Sequence, residues 1–232
     1  MINQALNGHH GSKLAVCLAS GGMDSCVCLA LAASKGRQLA ALHISYGQRT
    51  QRREQEAFLA LAKHYHARHT RIITADYLRE FGGSALTDPN IEVPVADLSR
   101  KDIPVSYVPF RNANFLAAAV SWAEVLHARE IFIGAVEEDS SGYPDCRESF
   151  YRAFNHLIRE GTRPETAIAV QTPLIHLNKA DIIRTGQQLG APFHLTWSCY
   201  SQNDLACGRC DSCALRLRAF AEAGIKDPLP YR

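Results

Sequence analysis

The chain has 232 residues, of which 47% are hydrophobic and 21% charged, and this is enough for one α/β domain with a core of its own. A formal net charge of +2 argues against a non-specific binder of polyanions. Residues 1–12 lack the apolar core of a signal peptide, and no run approaches the ~20 apolar residues of a membrane span. We therefore predict a cytoplasmic protein without a membrane partner, preceded by a flexible tail over residues 1–12.

Short apolar runs alternate with helical patterns along the chain. The predicted strands are Leu14–Ala19, Leu39–Ile44, Arg71–Thr74, Glu130–Ala135 and Ile168–Gln171. The predicted helices are Ser25–Lys35, Arg52–Tyr65, Ala113–His127, Phe150–Arg159, Lys179–Leu189 and Ala214–Ala223. This alternation predicts a doubly wound α/β fold, with a mostly parallel five-stranded sheet and helices on both faces. Residues 82–106 are rich in Pro, Gly and Asp and are predicted to form a long loop over the sheet edge.

The first predicted strand runs directly into a glycine-rich turn, and a helix follows at once. Glycines let the backbone approach a phosphate closely, and the N-terminus of the following helix attracts the anion. Serine hydroxyls add donors, and Asp24 is suited to hold Mg²⁺. The alternative is a plain strand-to-helix turn that Asp24 caps. We predict a nucleotide-binding loop made of Ser20, Gly21, Gly22, Met23, Asp24 and Ser25.

Four of the eight cysteines are bunched near the C-terminus, at Cys199, Cys207, Cys210 and Cys213. Four thiolates are the usual ligands of a tetrahedral structural zinc ion, and they leave no open coordination position for catalysis. The alternatives are reduced core cysteines, against which the polar neighbouring residues argue, and a redox-active pair of the CxxC type. We predict one structural zinc ion, with Cys213 opening the last helix.

The sequence SGGMDS resembles the SGGxDS signature of PP-loop ATP pyrophosphatases, which adenylate a substrate oxygen and release pyrophosphate. Further segments resemble one family within that class, the 7-cyano-7-deazaguanine synthases of queuosine precursor biosynthesis. The matching segments are Tyr46–Arg49 with Glu54 beyond it, Val108–Asn112, Ser141–Arg147, Lys179–Ile183 and Thr196–Tyr200, which leads into the four cysteines. The resemblance runs from Leu14 to about Phe220. One departure is Phe110, where many relatives carry a small residue.

The resemblance implies an ATP-dependent ligase that turns 7-carboxy-7-deazaguanine and ammonia into 7-cyano-7-deazaguanine through an adenylated acid and an adenylated amide. It also implies a PP-loop fold, Mg²⁺ with ATP as co-substrate, one zinc ion per subunit and a homodimer. The partners would then be small molecules, with no direct nucleic-acid binding. Under this interpretation residues 13–195 form the ATP-binding domain, and residues 196–232 form the zinc-binding segment.

The predicted substrate-binding residues follow from the chemistry of that substrate. A deazaguanine presents N–H donors on its Watson–Crick edge and an aromatic face, which predicts Asp145 as acceptor and Tyr143 or Phe110 as stacking partner. Its carboxylate suits the fork of an arginine, which predicts Arg111 and Arg147, with a solvated surface charge as the alternative for each.

The predicted catalytic residues are Asp24, Lys179 and Arg111. Lys179 would neutralise the triphosphate, although a lysine at a helix N-terminus can simply be exposed. Adenylation needs no protein nucleophile, so Cys146 is predicted to be a packed thiol. His43 is predicted to serve packing in the core or beside the adenine.

Two other functions are consistent with parts of the sequence. A tRNA-thiolating or amidating PP-loop enzyme would need a catalytic cysteine pair or a broad basic face. A zinc-knuckle RNA-binding module would use basic residues near the cysteines, namely Arg209, Arg216 and Arg218, but acidic residues offset these charges.

Overall fold

The computed structural model describes residues 13–99, 102–137 and 142–232, so the predicted tail over residues 1–12 lies outside the described part. The strands are β1 (Leu14–Leu18), β2 (Gln38–Ser45), β3 (His69–Thr74), β4 (Glu130–Ile133) and β5 (Ala169–Gln171). The helices are α1 (Met23–Ser34), α2 (Gln51–His64), α3 (Tyr77–Phe81), α4 (Arg111–Val125), α5 (Glu148–Gly161), α6 (Lys179–Gln188) and α7 (Asp211–Ala223). Two 3₁₀ turns cover Pro144–Cys146 and Phe193–Leu195.

The five strands form one parallel sheet in the order β3-β2-β1-β4-β5. The central strand β1 is a continuous apolar run whose five residues are all buried, because helices cover both faces of the sheet there. The edge strand β3 carries more polar residues and is largely exposed. The predicted fold class, a doubly wound and parallel five-stranded sheet, is therefore confirmed.

Alternate side chains of β1 enter two separate hydrophobic cores. Leu14 and Val16 pack with residues of α4 and α5 on one face of the sheet. Ala15 and Cys17 pack on the other face with residues of α1, α2, α6 and α7. The connection after β1 therefore runs to one face, and the connection after β4, its neighbour in the sheet, runs to the opposite face. A crevice at the carboxyl ends of the strands is expected at such a switch point.

The structure differs from the prediction mainly at short elements. Helix α3 was not predicted, because its five residues are too few for a periodic apolar pattern. Helix α7 begins at Asp211 instead of 214, so Cys213 lies within its first turn and does not open it. Among the described residues, no helix is long and apolar enough to cross a membrane.

The segment over residues 82–106 contains no strand or helix among its described residues, as predicted. Hydrogen bonds nevertheless fix it at both ends. Arg49 donates to the carbonyl oxygens of Ala85, Asp88 and Ile91 at 2.8, 2.8 and 2.6 Å. Further along, the backbone N–H of Ala96 donates to the carbonyl oxygen of Arg209 at 2.9 Å. The loop thus spans from the turn after β2 to the cysteine-rich segment.

Gly186 allows α6 to pack closely against the core. A Cβ atom at this position would lie 2.4 Å from Cζ of Phe193 and 2.7 Å from Cγ2 of Val27. We expect Gly186→Ala to lower the free energy of unfolding by about 1–3 kcal/mol through overpacking, measured by urea denaturation. The matched control is Gly161→Ala in α5, where no atom lies within 4 Å of the added Cβ. Wild-type stability in both variants would contradict the inference that α6 packs closely on Phe193 and Val27 at Gly186.

Candidate active site

The glycine-rich turn after β1 has the geometry of an anion-binding loop. Gly22 is the N-cap residue of α1 in an extended conformation, and Gly21 takes the left-handed conformation, with a φ of 87°. The Ser25 hydroxyl donates to the carbonyl oxygen of Gly22 at 2.9 Å, and the N–H of Gly22 donates to Oγ of Ser20 at 3.2 Å. Asp24 is the second residue of the helix, so the alternative in which it caps the helix is wrong.

Asp24 and Lys179 form an ion pair at this loop. Nζ of Lys179, the first residue of α6, donates to Oδ2 of Asp24 at 2.7 Å. The Lys179 side chain is only 13% exposed, so it is not simply a solvated helix-terminal lysine. Oδ1 of Asp24 is buried and has no hydrogen-bond partner among the described residues. This oxygen is available to a bound cation or donor, which fits the predicted role for Mg²⁺.

A cavity of about 300 Å³ opens at the carboxyl ends of the strands, where the connections after β1 and β4 diverge. One part of its wall is the glycine-rich loop with Asp24, Lys179 and Gly134. Gly134 lets the segment after β4 pack directly against the start of α1, because a Cβ there would lie 2.9 Å from the backbone of Asp24. The other part carries rings and charged groups from several segments, namely Tyr46, Glu54, Arg111, Phe115, Tyr143 and Tyr200.

Arg111 is the cation at the centre of this second part of the cavity. Its guanidinium lies 5.3 Å from the ring centre of Tyr46 and 5.9 Å from that of Phe115, as in cation–π contacts. Its Nη1 atom donates to the hydroxyl of Tyr46 at 3.0 Å. No carboxylate forms an ion pair with Arg111 in the part of the chain that the structure describes. The guanidinium therefore retains donors for an anionic ligand.

Of the other predicted substrate-binding residues, some line the cavity and others do not. Tyr143 lines the cavity, and its hydroxyl shares a hydrogen bond of 2.9 Å with that of Ser106. Phe110 is 62% exposed and is not part of the cavity wall. Arg147 is exposed at the N-cap position of α5 and is also absent from the wall.

Asp145 is buried behind the cavity wall instead of facing the cavity. Its Oδ2 atom accepts a hydrogen bond of 2.8 Å from the backbone N–H of Asn112, in the first turn of α4. Successive residues of a 3₁₀ turn point in different directions, so Pro144–Cys146 brings Cys146 to the cavity and turns Asp145 away from it. Asp145 thereby satisfies one of the free N–H groups in the first turn of the helix that begins at Arg111.

Cys146 is a protonated thiol at neutral pH. Burial raises the pKa of Cys146 to about 11, and the side chain of Asn112 donates to its sulfur at 3.4 Å. The prediction that this residue is a packed thiol and no nucleophile agrees with these surroundings. Arg111 and Lys179 line the same cavity as this thiol, and both cations oppose the rise of its pKa.

His43, at the end of β2, presents a hydrogen-bond acceptor to the cavity. Its Nδ1 lies 3.0 Å from the carbonyl oxygen of Ala19, so Nδ1 carries the proton that is donated there. Burial lowers the pKa of His43, which keeps the ring neutral. Its Nε2 is buried without a partner among the described residues. A ligand hydroxyl or amino group would supply the missing donor.

The four predicted metal ligands lie together. The sulfur atoms of Cys199, Cys207, Cys210 and Cys213 are all within 4.8 Å of one another. A tetrahedral zinc ion with bonds of about 2.3 Å would hold its sulfur ligands about 3.8 Å apart. The sulfurs of Cys207 and Cys213 are 3.9 Å apart, and N–H groups of Ser201 and Cys207 point at the sulfur of Cys199 at 3.5 and 3.4 Å. The cluster therefore fits a single ion with four thiolate ligands.

A buried ion pair stabilises the C-terminal segment that carries the four cysteines. Arg216 is 1% exposed, and its guanidinium donates to both carboxylate oxygens of Asp227 at 2.8 and 2.9 Å. It also donates to the hydroxyl of Thr196 at 2.7 Å. Arg218 lies 3.8 Å from Glu222. Of the three arginines that an RNA-binding module would use, Arg216 is therefore buried, and its guanidinium is already hydrogen-bonded to Asp227 and Thr196.

The model of the family described as "Queuosine biosynthesis protein QueC" matches residues 14–224. A protein of Chlorobium phaeobacteroides named 7-cyano-7-deazaguanine synthase is 59% identical over 217 residues, which cover 94% of this chain and 96% of that protein. Proteins with the same name from Chlorobaculum tepidum and Chloroherpeton thalassium are 58% and 56% identical, each over 94% of this chain and 96% of the relative.

The chain belongs to the QueC family. Two solved structures resemble the QueC-family chain more distantly. The NMN synthetase from Francisella tularensis has a TM-score of 0.47 and 19% identity, over 81% of this chain and 65% of that one. The U34-tRNA thiolase NcsA from Methanococcus maripaludis has a TM-score of 0.44 and 13% identity, over 90% and 64%.

Several residues of the cavity wall had no predicted role. Tyr46 and Glu54 belong to segments that resemble the synthase family, but the sequence predicts no function for them. It predicts none for Phe115 or Tyr200 either. One signal could have identified the first two. They follow β2, and in a parallel sheet the segments after neighbouring strands meet at the same edge. The glycine-rich loop follows β1, so the turn after the parallel neighbour β2 is also expected to reach the cavity.

The thiol cluster yields a prediction for this QueC-family protein. We expect Cys210→Ser to lose the bound metal and to unfold at a lower temperature, because metal binding and local folding form one event in such a segment. Elemental analysis and thermal denaturation measure the two effects. The control is Cys28→Ser, a buried cysteine of α1 outside the cluster, which should retain the metal. A Cys210→Ser protein with a full complement of metal would contradict the assignment of the ligands.

Proposed function

We propose that this protein is an ATP-dependent 7-cyano-7-deazaguanine synthase. It converts 7-carboxy-7-deazaguanine, ammonia and ATP into the C7 nitrile and releases AMP and pyrophosphate. The names of its relatives supply the product, because proteins 56–59% identical over 94% of this chain are called 7-cyano-7-deazaguanine synthase. The use of ATP is inferred from the glycine-rich loop, and the use of ammonia is what the resemblance to the synthase family implies.

The observation that carries the proposal is the surroundings of Arg111. A guanidinium that forms cation–π contacts with two rings and has no acidic partner among the described residues suits a flat ligand with a carboxylate. Tyr143 and Tyr200 line the same part of the cavity and offer further faces for a fused heterocycle. The glycine-rich loop for phosphate opens into the same cavity, so the carboxylate would meet the α-phosphate there.

The proposed chemistry proceeds in two activations. A carboxylate oxygen attacks the α-phosphorus of ATP, and pyrophosphate leaves with the electrons of the broken P–O bond. Ammonia then attacks the acyl carbon, the C–O bond to AMP breaks, and the amide forms. In the second activation the amide oxygen attacks the α-phosphorus of another ATP, and a second pyrophosphate leaves. The C–O bond to AMP then breaks, and loss of AMP and of two N–H protons leaves the nitrile. The protein contributes mainly positioning and charge neutralisation.

The residues of the glycine-rich loop have defined roles in this proposal. The N–H groups at the start of α1 and the hydroxyls of Ser20 and Ser25 bind phosphate oxygens. Lys179 neutralises charge that develops on the phosphates, and it orients Asp24 through their ion pair. The free oxygen of Asp24 would hold Mg²⁺, which polarises the phosphates when it is bound.

We propose that the metal at the thiol cluster is zinc, in a structural role. Four thiolates complete its coordination and leave no position for a reacting oxygen. The next residues, Asp211 and Ser212, begin α7 and line the cavity, so the ion stabilises part of the cavity wall. The protein is also proposed to act in the cytoplasm as a homodimer, on small molecules alone.

Mass spectrometry of the small-molecule products tests the proposed function directly. The protein is incubated with MgATP, ammonium and 7-carboxy-7-deazaguanine. The expected product is lighter than the ammonium salt of the acid by two waters, and AMP accumulates with it. Guanine, which lacks the carboxylate, should consume no ATP. A protein that leaves this acid unchanged but adenylates a tRNA or an amino acid would contradict the proposal.

A second prediction asks which arginine binds the carboxylate. We expect Arg111→Lys to lower kcat/KM for the acid by roughly tenfold or more, because lysine cannot reproduce the two-pronged contact. Arg147→Lys tests the other predicted arginine, and the exposed Arg152→Lys in α5 serves as the control. Initial rates at varied acid concentration measure the effect. A larger loss in Arg147→Lys than in Arg111→Lys would reverse the assignment.

A further inference from the structure

Amide formation requires a nucleophile that is mostly protonated at neutral pH. Ammonium carries a positive charge and has no free electron pair, so the enzyme must attract the cation and remove a proton before the nitrogen can attack. A carboxylate near the acyl carbon, without a cationic partner of its own, would meet both needs. In the described part of the cavity wall, Asp24 is already paired with Lys179.

Glu54, in the first turn of α2, is a cavity-lining carboxylate whose partners are neutral. Its Oε1 accepts a hydrogen bond of 2.7 Å from the hydroxyl of Thr50, and its Oε2 accepts one of 3.0 Å from the side-chain amide of Gln48. Each oxygen retains a second lone pair. No cation lies within ion-pair distance of Glu54 in the described residues. The two neighbours thus fix the carboxylate without neutralising it.

The position of Gln48 is itself fixed. Its side-chain oxygen accepts a hydrogen bond of 2.8 Å from the backbone N–H of Tyr46, and Gln48 is 5% exposed. The amide group is therefore oriented with its NH₂ toward Glu54. This chain of contacts also links Glu54 to Arg111, because the Tyr46 hydroxyl accepts from the guanidinium.

Glu54 lines the same cavity as the phosphate-binding loop and Arg111. A Cβ on Gly21 would come within 2.6 Å of the carbonyl oxygen of Glu54, so the first turn of α2 packs directly on the loop. Burial raises the pKa of Glu54, and hydrogen bonds from Thr50 and Gln48 and the charge of Arg111 oppose that shift. A carboxylate beside two anion-binding groups would repel the ligands unless a cation accompanied it.

We propose, on the basis of the function proposed above, that Glu54 binds ammonium and acts as the general base in amide formation. One proton passes from NH₄⁺ to the Glu54 carboxylate, and the lone pair of the resulting NH₃ forms the C–N bond. The C–O bond to AMP breaks, and its electron pair leaves with AMP. The second excess proton on nitrogen passes to solvent, and Glu54 then returns its own proton to solvent.

The test uses Glu54→Gln, which keeps the shape of the side chain and removes its charge and basicity. We expect the apparent KM for ammonium at neutral pH to rise by about tenfold or more, since a hydrogen bond to a charged group is lost. The KM values for ATP and for the acid should stay at the wild-type level. The matched control is Glu56→Gln in the same helix, whose side chain is 49% exposed and should leave all three values unchanged.

Hydroxylamine provides a second readout, because it is largely uncharged at neutral pH and needs no deprotonation before it attacks. The folded Glu54→Gln protein should form the hydroxamate as fast as the wild type. It should also catalyse acid-dependent exchange of pyrophosphate into ATP without any amine. Loss of that exchange would assign Glu54 to the ATP site, and a raised KM for the acid would assign it to substrate binding. Either result, or an unchanged KM for ammonium, overturns the inference.

These outcomes are distinct from a failure of the proposed function itself. If the wild-type protein neither exchanges pyrophosphate nor forms product with the deazaguanine acid, the function is wrong. If the wild type is active and the Glu54→Gln protein uses ammonium equally well, only the role of Glu54 is wrong.

Discussion

The whole candidate site depends on the divergence of the chain after two neighbouring strands. The segment after β1 crosses to one face of the sheet and the segment after β4 to the other, so no backbone fills the space between them. That space becomes the cavity, with the free N–H groups of α1 at its base. Gly134 brings the end of β4 directly against the start of α1, because any side chain there would collide with the backbone of Asp24. The parallel sheet directs the segments after β2, β4 and β5 to the same edge.

The cavity wall carries charges of both signs, which suits the proposed reaction between anions and a cation. The α1 N-terminus, Lys179, Arg111 and Arg216 are positive, whereas Asp24, Glu54 and Asp211 are negative. In the proposed function, positive groups alone would hold ATP and an acid firmly but would keep ammonium away. The low polarity of the rings around Arg111 strengthens each of these interactions compared with water. The proposed binding of anions and the proposed attack of the amine are therefore favoured by the same surroundings.

The sequence was sufficient to predict the sheet, the long helices, the glycine-rich turn between β1 and α1, and the thiol cluster. These features depend on apolar periodicity and on short-range spacing, which the chain carries locally. Side-chain direction in short turns was not predictable. Asp145 and Cys146 are adjacent, and only the 3₁₀ turn decides which of them faces the cavity. Arg111 and Arg147 both lie in segments that resemble the synthase family. Arg111 is enclosed by rings from distant segments, whereas Arg147 is exposed, and this difference arises only in the tertiary structure.

Phe110, directly before Arg111, has a φ of 57°, in the left-handed region where a side chain costs about 1–2 kcal/mol. The side chain is exposed and meets Phe150 edge-on, with ring centres 6.3 Å apart. Glycine would take this backbone conformation without strain. A glycine at this position would therefore relieve the backbone strain and remove the contact with Phe150, while every residue of the cavity wall would remain in the chain.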